Sequence, residues 1–268
     1  MNKQQIKKIV IIILIVFVVL TVVAFLAERG HNFTRKNNIT DNNCLVNNGI
    51  ATININGYIT GYTLRAKDDS EPKDEVSSDE VVACINKIAK SNKTKGLIVR
   101  IDSGGGSPEA SEEIANAVKG LKIPTAAVIR EAGNSGAYLI ASATNRIFAS
   151  EFSTLGSIGV TNSYLDNSQK DIQDGLTFNQ LSVGQFKDTQ NPDKPLTEAE
   201  KALIMRDVNI MYQGFIQKVA DNRKLDVEKV KQLADGSTML GAQAKADGLI
   251  DEIGDINNAT AWLKGKIK

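Results

Sequence analysis

The sequence predicts an α/β fold with a largely parallel sheet and a helical C-terminal part, preceded by one N-terminal transmembrane helix. Three observations predict it. Between Gly49 and Ala149, short apolar runs alternate with segments of helical spacing, the order that builds a sheet from strand–helix–strand units. From Leu196 onward the apolar spacing is helical almost throughout. Residues 9–27 carry no charged side chain, and at ~1.5 Å rise per residue such a helix crosses a ~30 Å hydrocarbon layer.

Residues 1–8 contain Lys3, Lys7 and Lys8. A cleaved signal peptide also starts with lysines, but its apolar core is usually ~7–15 residues, and cleavage after Ala27 would need a small residue where Phe25 stands. The stretch 9–27 therefore reads as an uncleaved signal anchor. Residues 1–8 lie in the cytoplasm and the long domain that follows lies outside, on the extracytoplasmic side of the cell membrane. Residues 28–48 are polar, asparagine-rich and aperiodic, and read as a linker. The folded domain is expected over 49–268.

Within it, Ile50–Gly57 alternates apolar and polar residues, a strand signature. Residues 65–78 form a charged loop, and helical spacing runs from Asp79 to Lys90. Gly96–Asp102 is a buried strand entering the turn Ser103-Gly104-Gly105-Gly106-Ser107, and Pro108 opens a helix to about Lys119, at the first-turn position that tolerates proline. A strand over Pro124–Arg130, a helix from near Ser135 and a short strand Arg146–Ala149 follow. Thr197 with Glu200 three residues on marks a capping box, opening a helix to about Asn222. Smaller helices are expected around 226–234, 241–247 and 256–266.

Composition removes several function classes. A formal charge of +1 with no large basic run, and few aromatics, argue against a nucleic-acid partner. Two cysteines, Cys44 and Cys84, do not make a disulfide framework; Cys84 sits in a helical pattern as a small hydrophobe, and a bridge between the two outside the membrane stays open. No His, Cys or carboxylate group has metal spacing, and no cofactor is called for.

Histidine is nearly absent. The single one, His31, follows the apolar stretch, so a Ser-His-Asp triad is excluded unless it folds back a long way. What remains is Ser135, in Gly133-Asn134-Ser135-Gly136-Ala137-Tyr138, at a strand-to-helix turn where a nucleophile can stand. A helix cap is the ordinary role of a serine there. Glycine-rich turns at strand ends also aim backbone N–H groups at one spot, for a phosphate or an oxyanion. The P-loop lysine and the dinucleotide spacing are both missing. A lysine base could activate such a serine if burial disfavours its ammonium form. Lys187, in Gly184-Gln185-Phe186-Lys187-Asp188, taken singly reads as a solvated loop residue.

Four ordered blocks carry a resemblance: Leu97–Gly106, Gly133–Tyr138, Gly156-Ser157-Ile158-Gly159-Val160 and Gly184–Asp188. The tail segments Ala234–Gly236, Gly241–Ala244 and Gly248–Gly254 join them. Together they resemble the signal peptide peptidase A family of bacterial membrane-anchored serine–lysine peptidases, whose fold is Clp protease/crotonase-like. The resemblance covers about Gly49 to Leu263. It implies Ser135 as nucleophile, Lys187 as general base and Ser157 as the residue holding the lysine amine. It further implies an oxyanion hole from the Gly105 and Gly136 N–H groups. The implied function is endoproteolysis of remnant signal peptides and other unfolded or hydrophobic segments at the membrane, by a homo-oligomeric ring with its sites inside. Small or medium apolar side chains are the expected specificity. The chain departs from the family at Gly104, usually proline, and at Asn134, usually small and apolar. A crotonase-type acyl-CoA-processing enzyme and a non-catalytic scaffold on the same fold are the alternatives.

Overall fold

A computed structural model describes residues 44–62 and 74–267. The chain divides into two units, Met1–Leu45 and Val46–Lys268. The stretch 9–27, His31 and most of the linker lie outside the described residues.

Strand β1 (Cys44–Asn47) precedes β2 (Ile50–Thr60). The two residues between them, Asn48 and Gly49, both have positive φ, 48° and 79°, the backbone of a two-residue hairpin turn that Asn-Gly favours. A strand thus lies inside the segment read as linker. Three of the four β1 residues are exposed, so no alternation marked the strand; only the Asn-Gly pair did. Both cysteines are disulfide-bonded.

The central sheet is parallel. β4 (Gly96–Gly106) lies between β2 and β5 (Thr125–Asn134), and β6 (Arg146–Ala149) and β9 (Glu252–Ile253) extend it on the far side of β5. β5 changes partner along its length. Ala126–Ile129 pair with β6, whereas Ala132–Asn134 pair with β7 (Thr154–Gly156). The short strands β3 (Glu75–Ser77) and β8 (Thr238–Leu240) add to β2 and β7 respectively.

Period-two alternation explains both faces of the sheet. Ile53, Ile55, Val99, Ile101, Ala127 and Ile129 are fully buried. Helices α1 (Ser78–Ala89), α2 (Pro108–Gly120) and α3 (Gly136–Ser142) pack against these strands. The alternate residues Ile50, Ile98, Ala126, Val128 and Phe148 form a second core with Ala259 and Leu263 of α8 (Ile256–Lys266). The expected α/β architecture is therefore present, and the long helix α5 (Glu198–Arg223) starts at the Thr197–Glu200 capping box. The remaining helices are α4 (Ser168–Gln173), α6 (Val227–Gln232) and α7 (Gly241–Asp247). Of the short elements, β3, β7, β8, β9 and α4 had no counterpart in the sequence reading, because runs of two to six residues give a periodicity little room to show.

One buried network fixes the tail to the half of the fold that carries the serine turn. The Arg223 guanidinium donates to both Asp251 carboxylate oxygens at 3.0 Å and to the Gly248 carbonyl. Asp251 also accepts from the Ile147 N–H at 2.7 Å. Tyr138, in α3, donates its hydroxyl to the Leu249 carbonyl at 2.8 Å. Burial pushes the Tyr138 pKa above its ordinary value, so the hydroxyl stays a donor.

Candidate active site

Ser135 stands where β5 ends and α3 begins. Its backbone, φ 51° and ψ −124°, lies in a region that residues with a side chain rarely occupy. Three interactions hold it there. Its N–H donates to the Gly156 carbonyl at 2.8 Å, its carbonyl accepts from the Leu139 N–H at 3.1 Å, and β7 pairs alongside through Asn134 and Gly156. The hydroxyl makes no cap bond to the helix it precedes. The ordinary role of a serine at this position is therefore not the one this serine has. Backbone held in a costly conformation while the side chain is left unused is the pattern of a functional turn.

The second glycine turn presses against the first. A Cβ on Gly105 would lie 2.9 Å from the Ser135 Cβ and 3.1 Å from the Gly136 nitrogen. A Cβ on Gly136 would lie 2.1 Å from the Ser111 hydroxyl oxygen. Glycine is required at both by contact, and Gly105 also has φ 107°. The contact brings the Gly105 and Gly136 peptides to the serine side by side. The Gly105 N–H is not idle, however. It donates to the Ser103 hydroxyl oxygen at 3.1 Å, while that hydroxyl donates to the Gly57 carbonyl at 2.6 Å. To serve an oxyanion, this N–H must share or leave the Ser103 bond. Sequence reasoning missed Ser103; a serine two residues before a glycine N–H is the turn signal that could have found it.

Ser157 also has positive φ, 47°. Its N–H donates to the Ser237 carbonyl at 2.9 Å and its hydroxyl to the Gly236 carbonyl at 3.0 Å. With its proton so directed, the Ser157 oxygen can only accept from a further group. Toward a lysine amine it would accept an N–H and leave the nitrogen lone pair free. Asp235 beside it accepts from the Ser237 hydroxyl and N–H, which hold its carboxyl below the ordinary range.

Ser135, Ser157, Gly105 and Gly136 line one cavity of about 1040 Å³. Its far wall is α5, through Met211, Tyr212, Gly214, Phe215 and Lys218, a contribution that the turns alone did not announce. Lys187 is elsewhere. It sits on an exposed turn closed by its own N–H to the Gly184 carbonyl at 3.1 Å, and it is not among the cavity residues. Four of the five expected site residues are thus together and the fifth is apart. Asn134 carries a buried side-chain oxygen with no hydrogen-bond partner, directly before the serine.

Comparison with known proteins bears on this arrangement. Residues 117–268, more than half of the chain, match peptidase family S49. A protein of Enterococcus faecium that provisionally bears the name signal peptide peptidase SppA is 32% identical over 225 residues, 83% of this chain and 64% of its own length. The chloroplastic serine protease SPPA of Arabidopsis thaliana is 30% identical over 74% of this chain and 30% of its own length. Protease 4 of Haemophilus influenzae is 30% identical over 80% of this chain and 34% of its own length. The chain therefore spans less than two thirds of these relatives.

Proposed function

Because the chain belongs to peptidase family S49, we propose that it is a membrane-anchored serine endopeptidase acting on remnant signal peptides and other unfolded or hydrophobic segments. The observation that carries this reading is Ser135, held at φ 51° with its hydroxyl unused for capping, in a cavity that two glycine turns also line. The parallel sheet and the glycine turns at its strand ends support a Clp protease/crotonase-like fold.

In the mechanism, the Ser135 Oγ attacks the scissile carbonyl while a base takes its proton. The Gly136 N–H, joined by Gly105 once its Ser103 bond is shared, stabilises the charge that appears on the carbonyl oxygen. Lys187 is the proposed base, and Ser157 accepts an N–H from its amine. Since Lys187 is outside the cavity of its own chain, we take it to come from a neighbouring copy in a homo-oligomer. The segment bearing it supports this: Leu165, Leu176, Leu181 and Val183 are all more than 60% exposed, an unusual density of bare apolar side chains. The stretch 9–27 anchors the domain, and the disulfide-bonded cysteines suit an oxidising, extracytoplasmic compartment.

One observation favours a second reading. A lysine outside the cavity is also what a non-catalytic scaffold would have. Labelling with a serine-reactive fluorophosphonate, beside cleavage of an extended apolar peptide, separates the two. The peptidase reading expects labelling of the wild type and none of Ser135→Ala. An unlabelled wild type that cleaves nothing leaves the scaffold.

A further inference from the structure

We propose that Gly214 is a specificity-determining residue of this peptidase site, opening the α5 wall of the cavity to one large apolar side chain of the substrate. The inference rests on the peptidase reading above and adds the substrate class.

Gly214 lies in the interior of α5, where glycine weakens a helix relative to alanine. Glycine at such a position has one common structural reason, the close approach of another element. That reason operates at Gly105 and Gly136, where an added Cβ would strike neighbouring atoms at 2.9 Å and 2.1 Å. It does not operate at Gly214, where a Cβ would meet nothing within 4 Å. The empty space belongs to the cavity, which Gly214 lines.

The surroundings define what fits the gap. Met211, Gly214, Phe215 and Lys218 follow the i, i+3, i+4, i+7 spacing of one helix face, and all four line the cavity. Met211 and Phe215 flank the gap with apolar surface, and Leu139 and Val160 line the same cavity. Lys218 does not add a net charge, because its amine lies 2.8 Å from the Glu112 carboxylate. An extended peptide with its scissile bond at Ser135 would direct a nearby side chain along this wall. The site then takes phenylalanine, leucine or methionine, larger than the small or medium residues expected from the two turns alone.

The test uses the full-length protein, with a peptide library around the cut and the fluorophosphonate as a probe of Ser135 that carries no peptide side chain. Wild type should cleave peptides with a large apolar residue at one fixed position. Gly214→Leu should lower kcat/KM for those peptides by ~10-fold or more, the effect of filling an apolar pocket, while peptides with alanine there keep most of theirs. Labelling of Ser135 should be unchanged. Gly214→Ala, better suited to a helix, should raise the melting temperature and discriminate only against phenylalanine, so the idea stays testable if the leucine variant misfolds.

A labelled pair of variants whose phenylalanine-to-alanine preference matches wild type overturns the role of Gly214 while leaving the peptidase reading intact. So does a change of assembly size with unchanged preference, which would make Gly214 a contact between copies. A wild type that is neither labelled nor active overturns the peptidase reading and this inference with it.

Discussion

The two halves of the proposed dyad sit in opposite kinds of structure. Ser135 ends a strand buried among parallel neighbours, and the residues after it, from Gly136 to Ala143, are all buried. Lys187 lies in the segment from Thr161 to Leu196, where strands are absent among the described residues and most side chains are exposed. The first region can hold a strained backbone because sheet pairing and core burial over-determine it. The second has few such constraints: a bond from Gln190 to Asn162 at 2.6 Å, one from Asn167 to the Pro192 carbonyl at 2.7 Å, and the Lys194–Glu200 pair at its C-terminal end. A nucleophile that needs a rare φ is thus placed by its own fold, while a base on a long side chain can be delivered from outside.

Subunit mixing breaks this comparison most directly. Ser135→Ala and Lys187→Ala should each lower peptide cleavage by at least ~10²-fold, the scale of a lost general base, without adding in the double variant. Co-assembling the two single variants should restore measurable activity, because some neighbouring pairs then hold one intact serine and one intact lysine. If the mixture stays as inactive as its components while wild-type controls co-assemble, the lysine does not come from a neighbour.

The next largest effect concerns the bare segment. Leu181 and Val183 are 98% and 96% exposed, so Leu181→Asp with Val183→Asp should leave the fold and melting temperature nearly unchanged. Assembly should nonetheless be lost, and cleavage should fall with it, read by light scattering and a peptide assay. A double variant that assembles and cleaves normally would remove this segment from any interface.

Legibility in the sequence follows the same division. Alternation over Ile50–Gly57, the Pro108 helix start and the Thr197–Glu200 box were each readable because local chemistry decides them, and the structure has all three. The Ser135 turn was readable from its flanking glycine and its position between a strand and a helix. The Ser103 bond to the Gly57 carbonyl was not legible, since it depends on where β2 brings that carbonyl. The α5 wall was equally hidden, because Met211, Gly214 and Phe215 reach the site only through tertiary packing. For Lys187 the sequence offered a residue type and a resemblance, and neither specifies the distance to Ser135.

Ser157 gives a smaller, sharper measurement. Its hydroxyl proton is directed at the Gly236 carbonyl, so it can orient an amine without exchanging a proton with it. Ser157→Ala should slow turnover by ~10-fold, less than loss of a general base, and leave KM nearly unchanged. Ser157→Thr, which keeps the hydroxyl, should recover part of the rate. Unchanged turnover in the alanine variant would take Ser157 out of the site.

The smallest effect probes how the exposed segment is tied to the rest. The Glu200 carboxylate accepts three bonds: from the Lys194 amine at 2.6 Å, the Thr197 N–H at 2.9 Å and the Thr197 hydroxyl at 2.8 Å. These bonds, that from Lys194 first, bring its carboxyl from the ordinary 4.5 to about 2. A carboxyl whose folded-state pKa is depressed stabilises the fold fully above its unfolded pKa, and that contribution fades as pH falls toward the folded value. The window here therefore runs from about pH 4.5 down to about 2. Glu200→Gln should melt below wild type at pH 7, and the gap should narrow as pH falls through that window. Glu200→Gln also removes the ionic partner of Lys194, so proteolysis between Thr161 and Leu196 at pH 7 should quicken while the core fragments persist. A melting difference that stays constant from pH 7 to pH 2.5 would mean that the ionised pair contributes nothing. The end of the segment would then be held by the Thr197 cap alone.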